Sequence, residues 1–152
     1  SSKLRYALDD LSFSKISLVR GKQAWRLTNA APQKNFFFLF RDQETIVHLC
    51  ARVLATVRML VAGEEANPEL FDILNQAFVF IEQNQLTEEN VKNLEAILML
   101  RIVNNLGYFG SHSHLGEFVR GIEWTPDLLT SMQPKRREAI VAINAALKAS
   151  HL

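Results

Sequence analysis

The stretch that most constrains the fold runs from residue 94 to residue 108 and reads LEAILMLRIVNNLGY. Every residue of the run AILMLRIV except Arg101 is apolar, whereas a surface helix needs only one apolar stripe. Thr87, followed by two glutamates, predicts the start of a helix, because a hydroxyl caps free N–H groups and acids suit the positive helix end. Gly107 predicts its end, since glycine readily adopts the left-handed conformation. We therefore predict a buried central helix over residues 87–106.

The composition is typical of a globular protein, and its single cysteine fits a reducing compartment. Apolar residues make up 48% of the 152 residues and include ten phenylalanines, which excludes a disordered chain. The longest apolar runs fall far short of the ~20 residues that cross a bilayer, so we predict no membrane partner. Cys50 is the single cysteine, which excludes an intramolecular disulfide and a multi-cysteine zinc site and fits a reducing cytoplasm.

Charge is distributed unevenly along a chain whose net charge is only +1. Residues 1–58 contain ten Lys or Arg and four acids, whereas residues 59–97 contain one lysine and eight acids. Residues 98–152 contain six basic and four acidic residues. The basic N-terminal block predicts an anionic partner, and the alternative is that oppositely charged blocks of the chain attract each other.

Residues 1–31 show the pattern of short β-strands. The runs around Ile16 and Trp25 are rich in β-forming side chains, and Gly21 between them can supply the positive φ of a hairpin turn. An earlier strand is predicted by alternating apolar residues, namely Leu4, Tyr6 and Leu8. Two or three strands are marginal as a separate sheet. Either they pack on the helices or they are part of a barrel whose front half precedes Ser1, and we predict the second.

Basic side chains recur through this β region and alternate with aromatic ones. The cations are Lys3, Arg5, Lys15, Arg20, Lys22 and Arg26. The interleaved aromatic residues are Tyr6, Phe13 and Trp25. Cations neutralise phosphates and rings stack on bases, so the six cations predict a nucleic-acid-binding surface. The alternative is a solvated outer face whose aromatic residues turn into the core.

The rest of the chain has the periodicity of helices. Pro32 is predicted to end the β region, and Phe36–Phe40 is predicted to plug the junction between sheet and helices. Further helices are predicted over residues 42–62 and from Pro68, Pro126 and Pro134, the last burying Ile140, Val141, Ile143 and Leu147. The predicted fold is mainly α, with a partial β region (1–31) followed by a helical bundle (32–152).

The sequence contains no pattern that predicts an enzyme. No Walker loop, dinucleotide fingerprint or HExxH zinc motif occurs. His112 and His114, with Glu117 nearby, form the weak pattern of a metal site, but such pairs are also common in glycine-serine loops. We predict no catalytic residue, no bound metal and no cofactor.

A second basic cluster opens the last predicted helix. Lys135, Arg136 and Arg137 lie where the helix dipole disfavours each cation by about 0.3–1 kcal/mol. One explanation is that the cluster and the free N–H groups bind an anion. The alternative is that acids from residues 64–72 pair with the cluster across the bundle.

Arg101 is the one cation within the apolar run, and a buried charge needs a partner or access to solvent. Glu95 is six residues away and therefore lies on another face of the helix. The predicted partners are Glu65, Glu69 or a bound acidic tail. We accordingly place Arg101 with the cluster at residues 135–137 in a predicted acidic-peptide site.

Three segments of the chain resemble the RecO family of bacterial recombination mediators. SSKLRYAL together with LVRGKQAWRLTNA is similar to the second half of that family's N-terminal oligonucleotide-binding barrel. GEEANPELFDIL is similar to its acidic loop and following helix, and LMLRIVNNLGY is similar to its apolar helix with a Leu-Gly-Tyr ending. The resemblance covers residues 1–108. The chain departs from the family in lacking its four-cysteine zinc ribbon and the front half of its barrel.

The resemblance implies a non-enzymatic mediator of DNA repair that binds single- and double-stranded DNA, anneals strands and helps to load the recombinase. It also implies contacts with a RecR-like partner and with the acidic C-terminal tail of single-stranded-DNA-binding protein, in the bacterial cytoplasm at the nucleoid. The DNA contacts expected by position are Lys3, Arg5, Arg20, Lys22 and Arg26. Our own candidates for the tail site are Arg101, Lys135, Arg136 and Arg137. The alternative function is a helical adaptor that binds an acidic peptide tail, with DNA contact incidental or lost.

Overall fold

The structure, a computed structural model, describes residues 4–5, 7–110 and 113–150. It is mainly α-helical with an N-terminal antiparallel β-hairpin, which confirms the predicted fold class. The strands are β1 (Ser12–Arg20) and β2 (Trp25–Asn35). The helices are α1 (Phe36–Phe40), α2 (Glu44–Leu60), α3 (Pro68–Gln83), α4 (Glu88–Asn105), α5 (Gly116–Val119), α6 (Pro126–Met132) and α7 (Arg136–Ala149). Short 3₁₀ turns, Ser113–Leu115 and Gln133–Lys135, precede α5 and α7.

The chain forms two compact units, Ser1–Ala51 and Arg52–Leu152, which divide within α2. The first unit contains the hairpin and α1, and the second contains α3 to α7. A domain boundary after residue 31 stays a prediction. None of the helices in the described residues is long and apolar enough to cross a membrane.

The hairpin is longer than predicted, and its turn uses glycine differently. β1 and β2 pair over their whole lengths and end at Arg20 opposite Trp25. In the turn, the Gly21 N–H donates to the Ala24 carbonyl at 2.9 Å. The prediction that Gly21 supplies a positive φ is wrong. Its missing side chain is what matters, because a Cβ at this position would lie 2.9 Å from the Ala24 oxygen.

The prediction that Pro32 ends the β region is also wrong, because β2 continues to Asn35. Proline lacks an N–H, but each strand of a two-stranded sheet pairs along one side only. Pro32 lies opposite Ser14, and a register shift between Phe13 and Ser14 leaves Gln33 as an extra residue. The proline is therefore accommodated on an edge strand beside a β-bulge.

The earlier strand predicted ahead of the hairpin does not form among the described residues. Arg5 is helical, and its carbonyl accepts a hydrogen bond from the Leu8 N–H at 3.1 Å, which closes a turn. Asp9 and Asp10 continue the turn, since aspartate side chains compete for local backbone groups and favour such conformations. These two residues override the alternation that suggested a strand. Tyr6 lies outside the described residues.

The phenylalanine-rich segment forms the short helix α1, and only part of it is buried. Phe36 and Phe40 are four residues apart, so they share one side of the helix and stack with ring centroids 5.8 Å apart. Both are buried. Phe37, Phe38 and Leu39 are exposed, so two of the five residues are buried, and the plug between sheet and helices stays a prediction.

Helix α4 is the buried central helix that the sequence predicts. The Thr87 Oγ1 accepts a hydrogen bond from the Asn90 N–H at 3.2 Å, and Gly107 has the expected positive φ, 80°. Every residue from Ala96 to Val103 is buried. Helices α3, α5, α6 and α7 all pack against α4, which explains why no side of this run is polar.

Helix α7 buries a different stripe from the predicted one. Ile140 and Val141 are 47% and 65% exposed, so their predicted burial is wrong. Ile143 is buried as predicted, and Leu147 is half-buried. The buried stripe consists of Ala139, Ala142, Ile143 and Ala146. Small residues at helical spacing face α4 and turn the larger aliphatic side chains outward.

Candidate nucleic-acid interface

The hairpin concentrates positive charge. From Ser12 to Asn35 the chain carries five Lys or Arg residues and no acidic residue. Lys15, Lys22 and Arg26 are exposed, and their side chains form no ion pair or hydrogen bond with the residues that the structure describes. Their charge is therefore available to an anion from outside the chain.

The remaining cations predicted for this site lie at its margin. Arg20 is exposed at the end of β1, and Arg5 is exposed in the helical residues ahead of the hairpin. Lys3 lies outside the described residues. The structure therefore brings Lys15, Arg20, Lys22 and Arg26 onto one hairpin, as predicted, whereas Arg5 lies on a separate element.

The strand register divides the hairpin side chains between two faces. Paired residues of antiparallel strands share a face, and successive residues alternate between faces. The apolar face carries Ile16, Leu18, Arg20, Trp25 and Leu27. The cationic face carries Phe13, Lys15, Val19, Arg26 and Lys34. On the apolar face the large side chains stay open to solvent, with Ile16, Leu18 and Trp25 between 45% and 48% exposed.

The turn of the hairpin carries an open hollow with a volume of about 680 Å³. Residues 20–24 and Arg26 line it, so that the three cations Arg20, Lys22 and Arg26 surround it. Arg26 reaches back over the turn, because its Nε lies 3.6 Å from the position that a Cβ on Gly21 would occupy. Both faces of the hairpin meet at this hollow.

Trp25 is held at the same end of the hairpin by a cation. The Arg20 guanidinium carbon lies 5.4 Å from the centroid of the Trp25 ring, and the two residues are the last cross-strand pair before the turn. Trp25 nevertheless remains 45% exposed, so it does not turn into the core. An exposed ring among cations is the combination that stacks on nucleic-acid bases.

In the second predicted site, Lys135 is engaged by the helical unit itself. Its Nζ donates to the Glu117 Oε1 at 2.6 Å and to the His114 carbonyl at 3.1 Å. The His114 side chain in turn pairs with Glu138 on α7. These contacts tie the start of α7 to α5, which leaves Lys135 little charge to offer a partner.

Arg136 is engaged in the same way. Its Nη1 donates to the Glu89 Oε2 at 2.8 Å and to the Asn93 Oδ1 at 2.9 Å. Two hydrogen bonds lower the pKa of the Glu89 carboxyl below its usual value, and the one from Arg136 has a larger effect than the one from Lys92. Arg137 is exposed and forms no ion pair within the described ranges.

Acids do pair with this cluster, but the prediction that they come from residues 64–72 is wrong. They are Glu117 on α5 and Glu89 in the first turn of α4. Glu89 lies within the acidic block at residues 59–97, whereas Glu117 lies outside it. The sequence did not show which acids approach the start of α7, because that depends on how the helices pack.

Arg101 is only 3% exposed. Its Nε donates to the Phe118 carbonyl at 3.0 Å, and its Nη2 donates to the Glu123 carbonyl at 2.8 Å. The guanidinium carbon lies 4.4 Å from the Trp124 ring centroid. Burial lowers the pKa of the Arg101 guanidinium to about 10, which is far above neutral pH, so the side chain keeps its charge inside the bundle.

The carboxylates predicted as partners of Arg101 are not the groups that hold it. Neither Glu65 nor Glu69 bonds to it, and two backbone carbonyls take their place. The prediction that Glu95 does not pair with Arg101 is confirmed. Glu95 accepts two hydrogen bonds from Arg52 instead, at 2.8 and 2.9 Å.

A groove of about 330 Å³ between α4 and α7 is a feature that the sequence analysis missed. Its lining consists of Lys92, Glu95, Ala96, Met99, Arg136, Ile140 and Ile143. Both of its cations bond to Glu89, Lys92 at 3.2 Å and Arg136 at 2.8 Å. The one signal in the sequence was the alanine stripe of α7, which places Ile140 outside the core and beside α4.

No group of three or more His, Cys, Asp or Glu side chains in residues 4–5, 7–110 and 113–150 could hold a metal ion. His112 lies outside these residues. Of the other two candidates, His114 pairs with Glu138 and Glu117 pairs with Lys135. The described residues therefore do not bring the weak metal pattern together.

Cys50 is buried, and its burial raises the pKa of the thiol to about 12. Only the thiolate attacks a disulfide reagent, and burial both disfavours the Cys50 thiolate and keeps the reagent away from it. We expect a chromogenic disulfide reagent at mildly alkaline pH to modify the urea-unfolded chain rapidly and the native chain hardly at all. Rapid modification of the native chain would contradict the burial of Cys50.

The raised pKa of the Cys50 thiol also makes stability depend on pH. The free energy of unfolding should fall as the pH rises from about 9 towards 12, because the thiol ionises at a lower pH in the unfolded chain than in the native one.

The chain matches no known protein family, no curated protein and no solved structure.

Proposed function

We propose that the chain is a non-enzymatic DNA-binding mediator of recombination in DNA repair and that its β-hairpin is the DNA contact. One observation carries the proposal. The hairpin has five cations and no acid between Ser12 and Asn35, and three of those cations surround the open hollow at its turn. Phosphate contacts supply most of the affinity in non-specific DNA binding, so this charge pattern suits a nucleic-acid backbone.

The same arrangement supports a role in strand annealing that needs no catalytic step. Two DNA strands repel each other through their phosphates. Lys15, Lys22 and Arg26 are not neutralised by acids of the described chain, so they reduce that repulsion when they contact either strand. The hairpin would thus act by screening charge and holding strands, with no covalent step.

The finer parts of the proposal depend on the resemblance of residues 1–108 to the RecO family. They are recombinase loading, binding to both single- and double-stranded DNA, a RecR-like partner, and the acidic tail of single-stranded-DNA-binding protein. A bacterial cytoplasmic location at the nucleoid belongs with them.

The test of the proposal is the salt dependence of DNA binding. If all six predicted cations contact phosphates, a plot of the logarithm of duplex-DNA affinity against the logarithm of salt concentration should have a slope of about −5. Fluorescence anisotropy with a labelled oligonucleotide between 20 and 200 mM salt measures this slope. The absence of binding at the lowest salt, or a slope near zero, would rule the hairpin out as a phosphate-binding element.

The alternative function, a helical adaptor for an acidic peptide, receives less support. Lys135 and Arg136 bond to Glu117 and Glu89, so a peptide would have to displace those carboxylates. Arg101 is buried and cannot meet a peptide at the surface without a rearrangement of the bundle. Arg137 alone of the four candidate residues offers an exposed charge without an acidic partner in the described chain.

A further inference from the structure

The tip of the hairpin contains more than positive charge. Trp25 lies next to the hollow that Arg20, Lys22 and Arg26 surround, and it is 45% exposed on the apolar face with Leu18 and Ile16. A site that bound phosphates alone would gain nothing from a large exposed ring. A ligand that uses both the ring and the cations must have a flat, apolar group close to its phosphates.

Single strands and duplexes differ in whether they can provide such a group. In a duplex the faces of the bases are stacked on one another, and the outside presents phosphates and base edges. In a single strand the faces of the bases are accessible, and stacking on an aromatic side chain is favourable for every base. An exposed tryptophan thus distinguishes the two forms, whereas lysine and arginine side chains contact phosphates in both.

We infer that Trp25, held in place by Arg20, is a stacking position for an unpaired nucleobase and gives the hairpin a preference for single-stranded over duplex nucleic acid. The inference rests on the proposed function and goes further by naming the residue that sets strand preference. The cation at 5.4 Å restrains the ring before the ligand arrives, which reduces the ordering needed on binding.

Charge complementarity decides between this occupant and two others. A second copy of the hairpin is disfavoured because each copy carries five cations and no acid between residues 12 and 35. An acidic peptide could add to a strand edge, but such pairing uses backbone groups and would leave the ring at the tip without a role. A single strand uses the cations and the ring together.

The first experiment compares a labelled 20-nucleotide single strand with a duplex of the same sequence at one low salt concentration. Trp25→Ala should weaken single-strand binding about tenfold and change duplex binding less than twofold. Trp25→Phe keeps a ring and should retain most of the single-strand affinity. Lys22→Gln is the control for the phosphate contacts and should weaken binding to both forms.

Tryptophan fluorescence provides a readout that does not depend on a destabilising variant. The chain has two tryptophans, and Trp124 lies in the helical unit with its ring stacked on Phe80. Stacking of a thymine on Trp25 should quench the emission of the wild type during titration with oligothymidylate. The same titration of Trp25→Phe should show no quenching.

The outcomes separate the inference from the function on which it rests. If Lys22→Gln weakens binding while Trp25→Ala affects single strand and duplex equally, or neither, the hairpin binds DNA but Trp25 does not set strand preference. Unquenched wild-type emission, or displacement of the single strand by an acidic peptide at equal concentration, would also overturn the inference. If neither DNA form binds at low salt, the proposed function itself is wrong.

Discussion

Replacement of Arg101 by methionine should lower the free energy of unfolding by about 3 kcal/mol, which corresponds to roughly 6–12 °C in Tm for a chain of this length. Methionine retains much of the side-chain volume, so the loss comes from the hydrogen bonds. The carbonyls of Phe118 and Glu123 would each lose a charged donor. The Phe118 carbonyl would lose it in a buried environment, where an unpaired acceptor costs the most.

A buried charge can sometimes be replaced by an apolar residue without loss, but that requires both partners to change. Here one partner is the backbone, which a substitution cannot remove. Arg137→Met is the matched control, because Arg137 is an exposed arginine without an ion pair to the described residues and should change stability by no more than about 0.5 kcal/mol. Urea denaturation measures both variants. Equal stability of Arg101→Met and the wild type would show that water satisfies the two carbonyls.

The same experiment distinguishes the two roles considered for Arg101. A residue that binds an acidic tail can be replaced with little change in stability and a large change in peptide affinity. A residue that holds the Phe118 and Glu123 carbonyls gives the opposite result. The geometry leads us to expect the second.

The double variant Lys22→Glu, Arg26→Glu should weaken DNA binding at low salt about 100-fold, since two attractive phosphate contacts are lost and two repulsive ones appear. The dependence of the logarithm of affinity on the logarithm of salt should become shallower by about 2 for duplex DNA. Both side chains are exposed and unpaired within the described chain, so the circular dichroism spectrum and Tm should stay unchanged.

The matched control for this double variant carries the same change of net charge in the helical unit. Arg137→Glu together with Lys148→Glu alters two exposed cations of α7. It should reduce DNA affinity only a few-fold, through the overall field of the molecule. If the control weakens binding as much as the hairpin variant, the contribution of the hairpin turn is not specific.

The features that the sequence predicted correctly depend on interactions between residues close in the chain. Thr87 caps α4, and Gly107 ends it, because capping involves a side chain and backbone groups within one turn. The concentration of five cations on the hairpin is likewise visible in the sequence, since residues 12–35 contain no acidic residue. The position of Gly21 at the hairpin turn was also predicted from its neighbours in the chain. Its predicted positive φ was wrong.

The features that it missed depend on contacts between distant segments. Arg101 bonds to two carbonyls, which every residue possesses and which therefore leave no pattern in the sequence. Ile140 resembles a core residue by type, and only the packing of the alanine stripe against α4 turns it outward. The two faces of the hairpin could not be assigned either. A second register shift, between Ser17 and Leu18, leaves Thr28 as an extra residue and forms a second β-bulge, which changes the pairing on which the faces depend.

The two β-bulges of the hairpin affect how readily one copy of the chain aggregates with another. A two-stranded sheet presents two long open edges, and Ile16, Leu18 and Val19 on β1 are exposed apolar residues, which is the usual profile of an aggregating strand. Bulges increase the local twist, and a twisted, uniformly positive hairpin is a poor template for another copy. The cations would thus serve solubility as well as binding. Neutralising them by substitution would remove a safeguard against edge-to-edge aggregation along with the proposed DNA contacts.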